Sequence, residues 1–158
     1  MNNKLQDISK RLNQVFQDDP WYGESIMDVL ENLNIDDVNK IPREHFNSIA
    51  RIVLHMITWR EFAIKSLQGD DSFNVQQNDA NDWKEITITT EQEWESLLRK
   101  LKETQSNILS ILQSSQDSIL NQKVPTRTYS IEYLLEGIIQ HDVYHLGQIT
   151  LVKKLINP

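Results

Sequence analysis

His141 and His145 stand four residues apart in Gly137-Ile138-Ile139-Gln140-His141-Asp142-Val143-Tyr144-His145-Leu146-Gly147-Gln148-Ile149. Read as a helix, that spacing is about one 5.4 Å turn, so the two imidazoles share a face, one above the other. Two such rings reach one divalent ion if a third ligand comes from another element. His55 is the candidate, because it follows Ile52 by three residues and precedes Trp59 by four, on the apolar face of its own helix. His45 precedes that helix and is expected in solvent. Burying neutral imidazoles without hydrogen-bond partners is costly, so three inward histidines call for an explanation. Three rings around one cation supply it and leave a fourth coordination position open, as in catalytic zinc sites. Imidazole also suits nickel, iron or manganese, with zinc or nickel expected first. The alternative is three separate, hydrogen-bonded core histidines.

His141-Asp142-Val143-Tyr144-His145 invites comparison with the H-E-x-x-H helix of zinc proteases. Asp142 stands where that chemistry needs a glutamate base, one methylene longer, and no histidine follows His145. A protease is therefore not expected. Asp142 reads instead as an acceptor behind a ligand or as a charge on the helix surface.

The elements that must position these residues follow from periodicity. Leu5, Ile8, Leu12, Val15 and Phe16 mark a first amphipathic helix, which stops near Asp18-Asp19-Pro20. An aromatic turn, Trp21-Tyr22-Gly23, leads to a short helix from Ser25 to Asn34, and residues 34–42 read as a polar connector. Ser48 is the expected N-cap of a long helix ending at Gly69. Residues 69–89 form a long polar loop containing Trp83, with at most a short extended piece at Ile86–Thr89. Thr90 and Glu93 make a capping box for a helix running to about Gln113. Residues 114–129 are a second connector, and Ser130 caps the last helix. Gly137 and Gly147 inside it each cost about 1 kcal/mol relative to Ala; close helix approach or room beside a pocket would justify them. The expectation is an all-α four-helix bundle with a short accessory helix after the first helix, as one domain over residues 1–158.

Composition limits the function. The chain has 158 residues, 39% hydrophobic and 25% charged, with a net charge of −7. An acidic chain without a basic run argues against a nucleic-acid partner. There is no cysteine, hence no disulfide, thiolate ligand or cysteine nucleophile. The polar N-terminal residues and the absence of an apolar run of about 18 residues point to no membrane partner and a cytoplasmic location.

The chain resembles the DinB-like family of small bacterial metal-binding bundles, which includes YfiT-like and bacillithiol-transferase-like proteins. The resemblance rests on Pro20-Trp21-Tyr22-Gly23-Glu24-Ser25, on His55-Met56-Ile57-Thr58-Trp59-Arg60-Glu61 and on the segment from Gly137 to Ile149. It implies a four-helix bundle, often a homodimer, with a divalent metal on His55, His141 and His145. It further implies a stress-related, metal-dependent thiol S-transferase that joins a low-molecular-weight thiol, such as bacillithiol, to a small-molecule electrophile. A metal-dependent hydrolase and a non-catalytic, metal-binding or dimerising bundle are the alternatives. Around the metal, Gln148 is expected either to orient a group in the pocket or to bond a neighbouring helix. Trp59 would be a pocket wall or plain core. Trp21, Tyr22 and Ser25 would close the mouth, while Arg60 and Glu61 would make surface interactions. Metal should be lost as pH falls through roughly 6.5, where free imidazole protonates.

Overall fold

The computed structural model describes residues 3–157; Met1, Asn2 and Pro158, and with them the reading of the first two residues, lie outside the described residues. Four long helices form the frame: α1 (Asn3–Phe16), α4 (Ile49–Leu67), α5 (Glu91–Ser114) and α6 (Ile131–Ile156). Two short ones, α2 (Ile26–Glu31) and α3 (Ile35–Val38), lie between α1 and α4. The ring of neighbours runs α4, α5, α1, α6 and back to α4. No strand occurs among the described residues; Lys123 and Ser130 form an isolated bridge before α6.

Local signals set the helix boundaries. Ser48, Thr90 and Ser130 accept from the backbone N–H groups of Arg51, Glu93 and Tyr133, and Thr90 with Glu93 closes the capping box. Ser25 and Asp28 form a second capping box on α2. Gly69, just past α4, takes φ 70°, a conformation that suits glycine. The connector at 34–42 contains one turn the sequence reading passed over: Asn34 caps α3 and Val38 is buried. The second connector holds a 3-10 turn at Asp117–Asn121.

Each long helix buries one stripe. Leu12 and Phe16 of α1, Val53 and Met56 of α4, Leu101 and Ile108 of α5, and Leu135 and Ile149 of α6 are completely enclosed. Each contributes about 1.5–3 kcal/mol through burial. The segment from Ile86 to Thr89 is not a strand, but Ile88 is buried and pairs through both its backbone groups with the side-chain amide of Asn39, at 2.6 and 3.0 Å. That contact anchors one end of the 70–89 loop.

Candidate metal centre

His55 lies at the middle of α4, and His141 and His145 lie one turn apart on α6, the helix packed beside it. The three rings converge through their Nε2 atoms. His141 Nε2 is 2.9 Å from His55 Nε2 and 3.0 Å from His145 Nε2. His55 and His145 are buried and His141 is partly so. One ligand atom from each ring falls in a cluster no more than 4.8 Å across, a group that could hold a metal ion.

The far sides of two of the rings fix their protons. His55 Nδ1 faces two oxygens of Asp82, the backbone carbonyl at 2.9 Å and Oδ1 at 3.0 Å. Both only accept, so Nδ1 carries the hydrogen. His145 Nδ1 donates to Gln148 Oε1 at 2.6 Å. A neutral ring protonated at Nδ1 has a bare lone pair at Nε2. Two such lone pairs therefore point at His141 Nε2. If His141 is protonated there, its single hydrogen serves one of them. If it is protonated at Nδ1 instead, three lone pairs face each other, and Nδ1 is itself buried without a partner. No arrangement of protons on three neutral rings satisfies this cluster, whereas a cation taking all three pairs does. The donor set fits a divalent metal ion.

Protonation does not resolve the conflict either. Burial, with the neighbouring His145, His55 and Arg60, lowers His141 from the ordinary 6.5 to about 2. Burial lowers His145 to about 4, against the raising effect of Gln148, and also lowers His55. A folded-state pKa below the unfolded one means that the unfolded chain takes up protons first. Above pH 6.5 both states hold neutral rings and stability is flat. The metal-free protein should lose stability as pH falls from 6.5 to about 4 through His145, and further through His141. The slope is about 1.4 kcal/mol per pH unit for each proton. Urea midpoints across this range check it, and His141→Phe should flatten the slope by about one proton. The same shifts move acid release of a bound ion below the 6.5 expected from free imidazole.

Two residues of the 70–89 loop complete the cluster, and the sequence reading did not single them out. Asp82 is buried; beyond His55 its carboxylate accepts from Trp59 Nε1 at 2.7 Å and from the Asn78 backbone N–H at 2.7 Å. Trp83 stacks flat on His55, centroids 3.8 Å apart and planes 6° off parallel. The loop is pinned by Arg51 to the Trp83 carbonyl at 3.1 Å and by Arg127 to the Val75 carbonyl. A polar loop with one tryptophan and scattered acidic residues was the available signal, but it carries no period that could assign a partner.

The other candidates separate into near and far. Gln148 orients His145 from one turn along the same helix rather than bonding a neighbouring helix. Trp59 is half-buried and walls a cavity of about 210 Å³ beside His141. Gly137 lines that cavity, and a Cβ there would meet nothing within 4 Å, so room and not close helix approach explains this glycine. Asp142 bonds no histidine: completely buried, it pairs with the equally buried Arg60, whose Nη1 donates to Gln105 at 2.8 Å and whose guanidinium lies 4.7 Å over the Phe16 ring. Arg60 is thus corrected from surface to core, while Glu61 does pair with Lys100 near the surface at 3.0 Å. His45 is exposed, as expected.

The Trp21–Ser25 turn is not at the mouth of the cluster. Tyr22, Gly23 and Glu24 share a groove with Val143, Gly147, Thr150 and Lys154. At 100° per residue those positions lie across α6 from His141 and His145. Trp21 is 98% exposed, and Ser25 is enclosed as the cap of α2. Nothing in the local sequence of a turn reveals which face of a distant helix it meets.

A helical bundle with three imidazoles converging from two facing helices defines a class, the small bundle with an inward three-histidine cluster able to hold a metal. The model of the DinB family matches residues 1–155, and the chain belongs to that family. Comparison with curated proteins and with solved structures finds no match.

Proposed function

We propose that His55, His141 and His145 hold one divalent ion, and that the centre serves transfer of a low-molecular-weight thiol to a small carbon electrophile. The observation that carries the reading is the pair of bare Nε2 lone pairs, set by Asp82 and Gln148, aimed at a third imidazole. A divalent ion there supplies Lewis acidity, which keeps a thiol as its thiolate at neutral pH. In the overall reaction the S–H proton passes to solvent, a C–S bond forms and the leaving group departs with the bonding pair. The chain's own residues orient the ligand rings and wall the space beside them. The Asp82 carboxylate beside His55 is taken up by Trp59, Asn78 and the His55 ring, which favours an added thiol over a side-chain nucleophile.

Zinc-loaded protein with a thiol and a small alkyl or aryl halide should give a rate above background that His141→Ala abolishes. An equal rate in the variant would overturn the transferase reading. Asp82→Ala should weaken zinc binding about tenfold, the lower end of the usual range for such supporting groups, because the backbone carbonyl still accepts from His55. Competition with a chromophoric chelator measures this.

A further inference from the structure

We infer that the cavity beside His141 is the electrophile's subsite and that it selects a neutral, apolar compound of single-ring size. The inference rests on the reading of the histidine cluster as a reaction centre. The cavity is walled by Trp59, Tyr129, Leu134 and Ile138, with Gly137 opening one side and Tyr133, 67% exposed, standing at its edge. No Asp, Glu, Lys or Arg lines it. Its polar rings are His141, whose Nε2 is turned to the other two histidines, and the phenols of Tyr129 and Tyr133. The Trp59 indole N–H is committed to Asp82 and offers no donor to a ligand. A charged compound would enter without a counter-charge, at the cost of desolvating its ion. The larger groove between α2 and α5 is different in kind, bordered by Glu31, Glu95, Arg99 and Lys102, with no histidine in its wall.

Size follows from volume. An apolar cavity of roughly 150 Å³ holds a benzene ring, so about 210 Å³ accepts one ring with a short substituent. The face of Trp59 and the tilted Tyr129–Tyr133 pair, centroids 5.2 Å apart, suit a flat guest. A polar thiol finds no complement in this cavity, and its body must lie outside it. The two substrates would then approach the cluster from different sides, which suits a bimolecular transfer.

The experiment uses zinc-loaded protein and three probes: toluene, benzylammonium and naphthalene. Binding is read by saturation-transfer NMR and zinc content by elemental analysis, so neither readout depends on turnover. Toluene should bind, and benzylammonium should bind at least about tenfold more weakly for want of a counter-charge. Gly137→Leu should abolish toluene binding with zinc retained, because its side chain grows into open space. Naphthalene, with two fused rings, should bind more weakly than toluene, and Gly137→Ala, a milder change that favours the helix, should weaken toluene binding less than Gly137→Leu. If toluene does not bind, if benzylammonium binds as well, or if neither Gly137 variant changes binding, the inference is overturned. Zinc binding without toluene binding defeats the cavity inference alone. Toluene binding in protein that cannot hold zinc defeats the metal reading and leaves the cavity's selectivity standing.

Discussion

Protein purified without a histidine tag should carry about one divalent ion per chain, and His141→Ala about a tenth of that or less, since removing one of three ligands leaves a two-imidazole site. Elemental analysis checks the stoichiometry. The stability change should be opposite in sign with and without metal. In the metal-free parent, His141 is a liability: Nδ1 is buried without a partner, and Nε2 faces two lone pairs with one hydrogen at most. Leaving a buried polar group unsatisfied costs about 1–3 kcal/mol. Metal-free His141→Ala should therefore unfold at a urea concentration no lower than metal-free parent, despite the small cavity it opens. With zinc at a thousand times its dissociation constant the parent gains about 4 kcal/mol, and the variant gains little. Unfolding curves with and without chelator separate the cases. A His141→Ala variant that stays zinc-loaded, or that is strongly destabilised without metal, contradicts the account of the cluster.

Replacing Arg60 by methionine should cost about 3–5 kcal/mol, because it strands a buried carboxylate. Arg60 and Asp142 are both completely enclosed, and burial raises the Asp142 carboxyl while the guanidinium opposes that shift. The double variant Arg60→Met with Asp142→Leu removes both charges and should recover most of the loss. Urea midpoints of the two variants and the parent test the pairing directly. Equal loss in single and double variants would mean that shape, not charge, is what Arg60 contributes. The pair also joins α4 to α6 next to His141, so the double variant should still bind zinc if its role is structural.

These two sites differ in how far the sequence disclosed them. The rotation of His55, His141 and His145 toward the core follows from a 3.6-residue period, and Ser48, Thr90 and Ser130 announce their helices because an N-cap is a contact within one turn. Those features are local, and local chemistry is legible. Arg60 was misread because a charged side chain is rarely fully enclosed without a partner, and its partner lies 82 residues away. The signal was nevertheless present in part: Arg60 falls on the α4 stripe of Val53, Met56, Ala63 and Leu67, although only the fold brings Asp142 to it. Asp82 and Trp83 had no such signal, since their loop is shaped by contacts to Arg51, Trp59 and Arg127 from other parts of the chain. The face of α6 that meets the Trp21–Ser25 turn is likewise decided only by packing.

The position of the ligands along the chain has a consequence for folding. His55 and His141 are 86 residues apart, on helices separated by α5 and two long connectors. An ion joining them closes a covalent-like loop through most of the bundle. In chain-entropy terms, fixing a loop of that length removes about 4–5 kcal/mol of freedom from the unfolded ensemble, as a disulfide would. With an ion bound, a chain with no cysteine would have a means of cross-linking its own interior, a staple opened by acid or a chelator rather than by a reductant.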